Sequence, residues 1–219
     1  FWVLKIDWEL ALVPLFGFFL ILFPGAVGQI FFARHYPNPL DRGAYLVSAM
    51  LANIGTLGGV CAFILYSEQG FAYSQIIGTC QNVALVLLIF PLSQYFYLKA
   101  TGSTRKSSPL RDFCNLFFSW NQICLLGMAA GIYLNLHGIE RPDFLTPAFV
   151  WLVHVSAWFA MLPVGYLIDF RHARPYILAT KSLYFIRFVV TPATTCLLAY
   201  FAFDSATIQN SMLIFASCP

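Results

Sequence analysis

Apolar stretches long enough to cross a lipid bilayer recur along the whole of this 219-residue chain. A spanning helix needs about 20 mostly apolar residues. Such stretches fall at about 9–33, 43–66, 70–98, 119–137, 144–168 and 176–202. A seventh opens near Thr207 and meets Pro219 too soon to cross. Lipid offers the backbone no hydrogen bonds, so runs of this kind fold as helices that satisfy their own amides. The sequence therefore predicts an all-α polytopic membrane protein. Composition agrees: 60% of the residues are hydrophobic and 10% charged, against roughly 45–50% and about 25% in soluble domains. So few charges cannot coat a soluble globule, and a disordered or collagen-like chain is excluded by the same apolar bulk. The cysteines (Cys61, Cys80, Cys114, Cys124, Cys196, Cys218) are scattered without a C-x-x-C pair, which makes them small apolar packers rather than a metal or disulfide framework.

The connectors set an expected orientation. Loops after the first, third and fifth stretches carry Arg34 and Arg42, then Lys99, Arg105, Lys106 and Arg111, then Arg171 and Arg174. The opposite side has only Lys5 and Arg141. Short loops rich in Lys and Arg stay cytoplasmic, so the N-terminal end is expected outside and the 99–115 connector inside. All the carboxylates lie in loops or at the ends of stretches. The polar connector Thr101–Asn115 divides the chain into three spans at 1–100, a linker at 101–118 and a second set of spans at 119–219. Phe113–Trp120 is expected to lie along the interface as an amphipathic lead-in. With Phe1 in place of a methionine and the last stretch cut short, the expectation is a piece of a longer protein.

Backbone that stops being helical inside a bilayer must be buried in protein or line a wet cavity. The strongest such place is Ala52-Asn53-Ile54-Gly55-Thr56-Leu57-Gly58-Gly59, with three glycines beside an asparagine in mid-stretch. These glycines alone suit a close helix-packing face. Asn53 beside them points instead to an unwound segment lining a site, with Gly55 at its centre. The last stretch offers Asn210-Ser211 and then Ala216-Ser217-Cys218-Pro219, where the proline removes a helix hydrogen bond. A proline-bearing span followed by an interrupted one thus occurs twice, at Trp8–Tyr66 and from Tyr176 onward. Paired interrupted helices at matching places in two halves mark the binding site of secondary transporters.

Polar groups at depth are few. Lys181 lies about 9 Å from its helix start and snorkels to the interface. Arg187 lies about 17 Å in, where a cation needs a cavity, a carbonyl, a partner from elsewhere or an anionic ligand. Gln81 and Asn82 sit near mid-membrane and are expected to face the broken second span, since a lipid-facing amide pair lacks partners. His154, among Trp151, Trp158 and Phe159, is read as a packing residue. No nucleophile–base set, H-E-x-x-H, phosphate loop or basic–aromatic nucleic-acid surface occurs, so neither an enzyme, a cofactor nor a nucleic-acid partner is expected.

Several of these motifs together resemble the auxin efflux carrier family. They are Asp41-Arg42-Gly43-Ala44 leading into Asn53–Gly59, then Leu65-Tyr66-Ser67-Glu68-Gln69-Gly70, then Gly131–Leu145, and finally Arg187–Pro192 and Ala216–Pro219. Val60 stands where plant members often carry proline, and the short linker is more similar to prokaryotic permeases. The resemblance covers the third to ninth spans. It implies an inverted-repeat, ten-span secondary transporter in the bacterial inner membrane. Such a carrier moves small organic anions such as carboxylates by alternating access, with a possible homodimer and with proton or sodium coupling left open. By match, Asn53 and Gly55 belong to the first crossover, Ser217 and Pro219 to the second, and Gln81 and Asn82 to a polar position of the fifth span. Arg187 joins them from its depth alone. A bile-acid:sodium symporter-like carrier and a seven-span sensor are the alternatives.

Overall fold

A computed structural model describes residues 1–2, 4, 7–102, 123–167 and 180–219. The interfacial segment expected at Phe113–Trp120, most of the linker, Arg171, Arg174 and the first residues of two expected spans lie outside them. The described residues are helical and contain no strand. Four helical runs are long and apolar enough to cross a membrane: Trp8–His35, Pro39–Thr101, Leu145–Pro163 and Lys181–Ala202.

The first run is α1 (Trp8–Val27), which continues through a π turn at Gly28–Phe32 and a tight 3-10 turn at Ala33–His35. Glu9 in its first turn complements the positive end of the helix dipole. Helix α2 (Pro39–Met50) starts cleanly because Asn38 accepts the Leu40 N–H at 3.0 Å and Pro39 needs no hydrogen-bond partner for its nitrogen.

The second run is folded back on itself. After α2 the chain leaves the helix at Leu51–Asn53, resumes as a π turn at Ile54–Gly58, and enters α3 (Gly59–Ala84). Within α3 the backbone reverses at Tyr66 and Ser67, where Ser67 takes φ 54°, ψ −142°. This reversal separates the stretches read from sequence as 43–66 and 70–98. The two arms then lie antiparallel. Gly70 permits that closeness, because a Cβ there would sit 2.5 Å from the Ala62 carbonyl oxygen. A further π turn at Leu85–Ile89 leads into α4 (Phe90–Thr101), which ends at Gly102 in the left-handed conformation, φ 65°.

The second half opens with α5 (Ile123–Leu136) and α6 (Leu145–Leu167), the latter carrying exposed Trp151, Trp158 and Phe159. Then come α7 (Lys181–Phe185), a π turn at Ile186–Val190, α8 (Thr191–Ala202) and the short α9 (Ala206–Ala216). One apolar core joins Leu20 of α1, Ile54, Ile77 of α3, Phe203, and Met212 and Phe215 of α9. Close van der Waals packing of these side chains, rather than removal from water, holds the end of α9 against the interruption after α2.

Candidate functional site

The interruption after α2 is narrower than the glycine-rich sequence suggests. Only Leu51, Ala52 and Asn53 leave the helix, whereas Gly55, Gly58 and Gly59 lie in wound backbone. The glycines divide the two expected roles between them. Gly58 and Gly59 form a packing face: a Cβ on Gly58 would lie 3.1 Å from Cys218 Sγ, and one on Gly59 2.8 Å from Ser74 Oγ. Gly55 faces open space, with nothing within 4 Å of its Cβ position.

Asn53 organises the break. Its Oδ1 accepts the Leu57 N–H at 3.5 Å and the Thr56 hydroxyl, which caps the resumed helix. Its carbonyl accepts the Gly58 N–H at 3.0 Å, and its own N–H donates to the Pro219 carbonyl at 2.7 Å. Helix termini leave backbone groups without partners, and here two ends meet those needs mutually. Gln81 reaches across from the second arm of α3, its Nε2 donating to the Ala52 carbonyl at 2.8 Å. Gln75 makes a longer contact of the same kind to the Gly55 carbonyl, 3.5 Å.

Asn82 does not join them. Successive residues of a helix project about 100° apart, so with Gln81 turned to the break Asn82 falls on the exposed face. The expectation that both amides face inward is corrected to Gln81 alone. Ser217 is exposed and donates its hydroxyl to the Leu213 carbonyl at 2.8 Å, so its side chain is engaged in its own helix end. Pro219 contributes its carbonyl.

Arg187 lies in the π turn before α8 and is only 4% exposed. Its Nε and Nη2 are buried with no hydrogen-bond partner, and Cys218 lies within its electrostatic reach. Cys218 also packs against Gly58, so the thiol after α9 is a shared neighbour of Arg187 and of the helix that resumes after the break. Thr191 and Thr195 follow at four-residue spacing on the same buried face; Thr191 donates to the Ile186 carbonyl at 2.8 Å, whereas Thr195 Oγ1 is buried without a partner. Lys181, by contrast, is exposed near the helix start. His154 is exposed and meets Phe63 edge-to-face, ring centres 5.8 Å apart.

A second polar cluster closes one end of the molecule. Arg141 grips Glu68 with both nitrogens, Nη1–Oε2 2.7 Å and Nη2–Oε1 2.9 Å, and Nη2 also donates to Thr146 Oγ1 at 2.7 Å. The hydrogen bond to Glu68 holds the guanidinium above the ordinary arginine range. Among the described residues this is the one salt bridge. A cavity of about 360 Å³, lined by Glu68, Arg141, Phe71, Phe149 and Gln75, lies beneath it. Through Gln75 that cavity abuts the Gly55 carbonyl.

Sequence reasoning named Asn53, Gly55, Gln81 and Pro219, which the structure brings together at the break, and Arg187, whose neighbour Cys218 packs against Gly58. It missed Gln75, Thr191, Thr195 and Cys218. The threonines had a signal, a polar residue every fourth position after Arg187 in an apolar helix. The Glu68–Arg141 pair had none, because nothing local links residues so far apart in sequence.

The described residues define a class: an all-helical architecture with four apolar runs of membrane-crossing length, in which the break after α2 is bonded to the residues that follow α9. Compared with family models, with curated proteins and with solved structures, the chain finds no match in any of the three.

Proposed function

We propose that this protein is a secondary carrier that moves small organic anions, such as carboxylates, across the membrane by alternating access. One observation carries the reading. Arg187 is a buried guanidinium with two nitrogens that have no hydrogen-bond partner, and it shares Cys218 as a neighbour with the helix that resumes after the Asn53 break. An uncompensated cation at that depth is costly, and a transient anionic ligand is the partner that removes the cost. A guanidinium matches a carboxylate through two parallel hydrogen bonds. The open space at Gly55, which Gln75 links to the cavity below Glu68–Arg141, offers room at the break itself.

In this reading α2 and α9 are the leading halves of two crossover helices, 12 and 11 residues long, each reaching about half of a 30 Å hydrocarbon core. The carrier belongs to a ten-span inverted repeat like that of the auxin efflux carriers. It sits in the plasma membrane with the 99–115 connector in the cytoplasm, as the excess of basic residues there favours. Movement of the crossover pair against the remaining helices carries the site from one side to the other.

The test is substrate-dependent current from the purified protein in proteoliposomes, scanned over mono- and dicarboxylates of increasing size. A saturable current that disappears in Asn53→Ala and in Arg187→Gln is expected. Absence of current for every carboxylate, or a current unchanged by both substitutions, overturns the assignment.

A further inference from the structure

A different cavity, remote from the crossing, has the character of a lipid site. It measures about 460 Å³ and lies between α1, α2 and α4. Arg42 in the first turns of α2 and Lys99 in the last turn of α4 line one end. Gly43 makes this possible: a Cβ there would stand 2.8 Å from Phe96 Cβ, so α2 and α4 pack closely enough to bring the two cations to the same end. Leu22, Leu46, Met50 and Leu88 form the walls beyond. Met50 lies about 12 Å deeper than Arg42 along α2. Leu22, Leu88 and Tyr95 are exposed, so the cavity opens sideways onto the apolar surface.

The polar groups at the cationic end are incompletely used. Arg42 Nε and Gln29 Oε1 are buried without hydrogen-bond partners. Arg42 and Lys99 each lie 5.9 Å from an aromatic ring centre, Phe96 and Tyr95 respectively, which fixes both side chains along the cavity wall. None of the lining residues is acidic, and neighbouring Asp41 is exposed and forms no salt bridge with Arg42. A donor-rich cationic rim above an apolar, laterally open trough matches the two ends of one molecule, an anionic phospholipid.

We propose that this cavity binds an anionic phospholipid, its phosphate between Arg42 and Lys99 and an acyl chain along Leu22, Leu46 and Leu88. The site belongs to the end of the molecule that carries Arg34, Arg42 and Lys99, and it is independent of the carrier function proposed above.

The test uses the purified, delipidated protein offered equimolar phosphatidylglycerol and phosphatidylcholine, with retained lipid read by native mass spectrometry. One Lys or Arg near an anionic headgroup changes binding by about fivefold. Wild type should therefore retain phosphatidylglycerol roughly 25-fold over phosphatidylcholine. Arg42→Gln combined with Lys99→Gln should bring the two lipids close to parity. Lys99 is exposed, so Lys99→Glu leaves the packing intact and should alone cut the preference by more than about fivefold. Arg34→Gln, at an exposed basic residue outside the cavity, should change nothing. Equal retention of both lipids by wild type overturns the proposal, as does an unaltered preference in Lys99→Glu. Displacement of the bound lipid by millimolar inorganic phosphate makes the site a free-anion site and overturns it as well.

Discussion

The main-chain N–H of Asn53 donates to the carbonyl oxygen of Pro219 across 2.7 Å, joining two helix ends that lie 166 positions apart in sequence (219 − 53). The end of α9 closes on itself, with the Ser217 and Cys218 amides returning to Leu213 and Phe215, whereas the break after α2 draws on other segments. Ala52, which α2 leaves with a free carbonyl, is satisfied by Gln81 at 2.8 Å, and the resumed helix is capped by the Asn53 side chain. The break is therefore a built joint whose polar groups are drawn from three segments. In α8 and the π turn before it, by contrast, Arg187 Nε and Nη2 and Thr195 Oγ1 are buried without hydrogen-bond partners.

Removing the cap tests the joint. Asn53→Ala deletes the acceptor for the Leu57 N–H and the Thr56 hydroxyl, an effect of about 1 kcal/mol. For a chain of this size the melting temperature should fall by about 2–4 °C. Asn53→Ser keeps a side-chain oxygen at the cap and should stay closer to wild type than the alanine variant. Thermal unfolding in detergent, followed by circular dichroism, measures both. Under the proposed carrier function the alanine variant also loses transport current while its expression is unchanged.

Arg187 yields a prediction of opposite sign. A buried charge without a partner destabilises the ligand-free protein, and an apolar side chain of similar length removes that penalty. Arg187→Met should raise the melting temperature by at least about 2 °C and eliminate anion-dependent stabilisation. A fall in melting temperature would mean that the guanidinium is well satisfied in the resting protein, and the anion assignment would lose its basis.

The adjacent amides should behave differently. Gln81→Leu leaves the Ala52 carbonyl unpaired, and interhelical hydrogen bonds in membrane proteins contribute about 0.6 kcal/mol on average, up to about 1.7. Asn82→Leu removes only an exposed amide and should be neutral within about 0.5 kcal/mol. Comparing unfolding midpoints of the two variants decides which face of the helix meets the break. Equal effects would contradict the placement of Gln81.

The Glu68–Arg141 pair predicts a pH response through its sign. Bonding to Glu68 raises the arginine above its ordinary range, so its contribution is complete below that range and is lost only as pH rises past it. A double-mutant cycle with Glu68→Gln and Arg141→Gln should give a coupling of about 1 kcal/mol. The same value is expected at about pH 6 and about pH 9, since arginine stays protonated throughout. Restored stability in the swapped variant, Glu68→Arg with Arg141→Glu, would complete the case; a coupling that vanishes by pH 9 would contradict it.

The unequal legibility of these features has physical causes. The helical runs and the reversal near Tyr66–Ser67 were legible because a bilayer-length apolar stretch and its polar boundary are local properties. Asn53 was legible as a break for the same reason, a polar residue and glycines where helix should continue. The inward turn of Gln81 and outward turn of Asn82 were not. Adjacent residues share one depth, and only the rotation of the helix about its axis separates them.

Taken by itself, the sequence determined apolar runs of membrane length that the described residues form as helices, an excess of Lys and Arg in alternate connectors, and the positions of Asn53, Gln81 and Arg187 along their runs. These follow from hydropathy, charge and the 1.5 Å rise of a helix. The tertiary structure alone decided which interrupted ends touch, which carbonyl Gln81 satisfies, that Arg141 grips Glu68, and that Arg42 and Lys99 share one cavity. Each of those depends on how helices distant in sequence rotate and pack, where close contacts such as Gly58 against Cys218 and Gly43 against Phe96 select one arrangement. Hydropathy ranks residues by their preference for lipid and carries no information about which neighbour a buried polar group will meet.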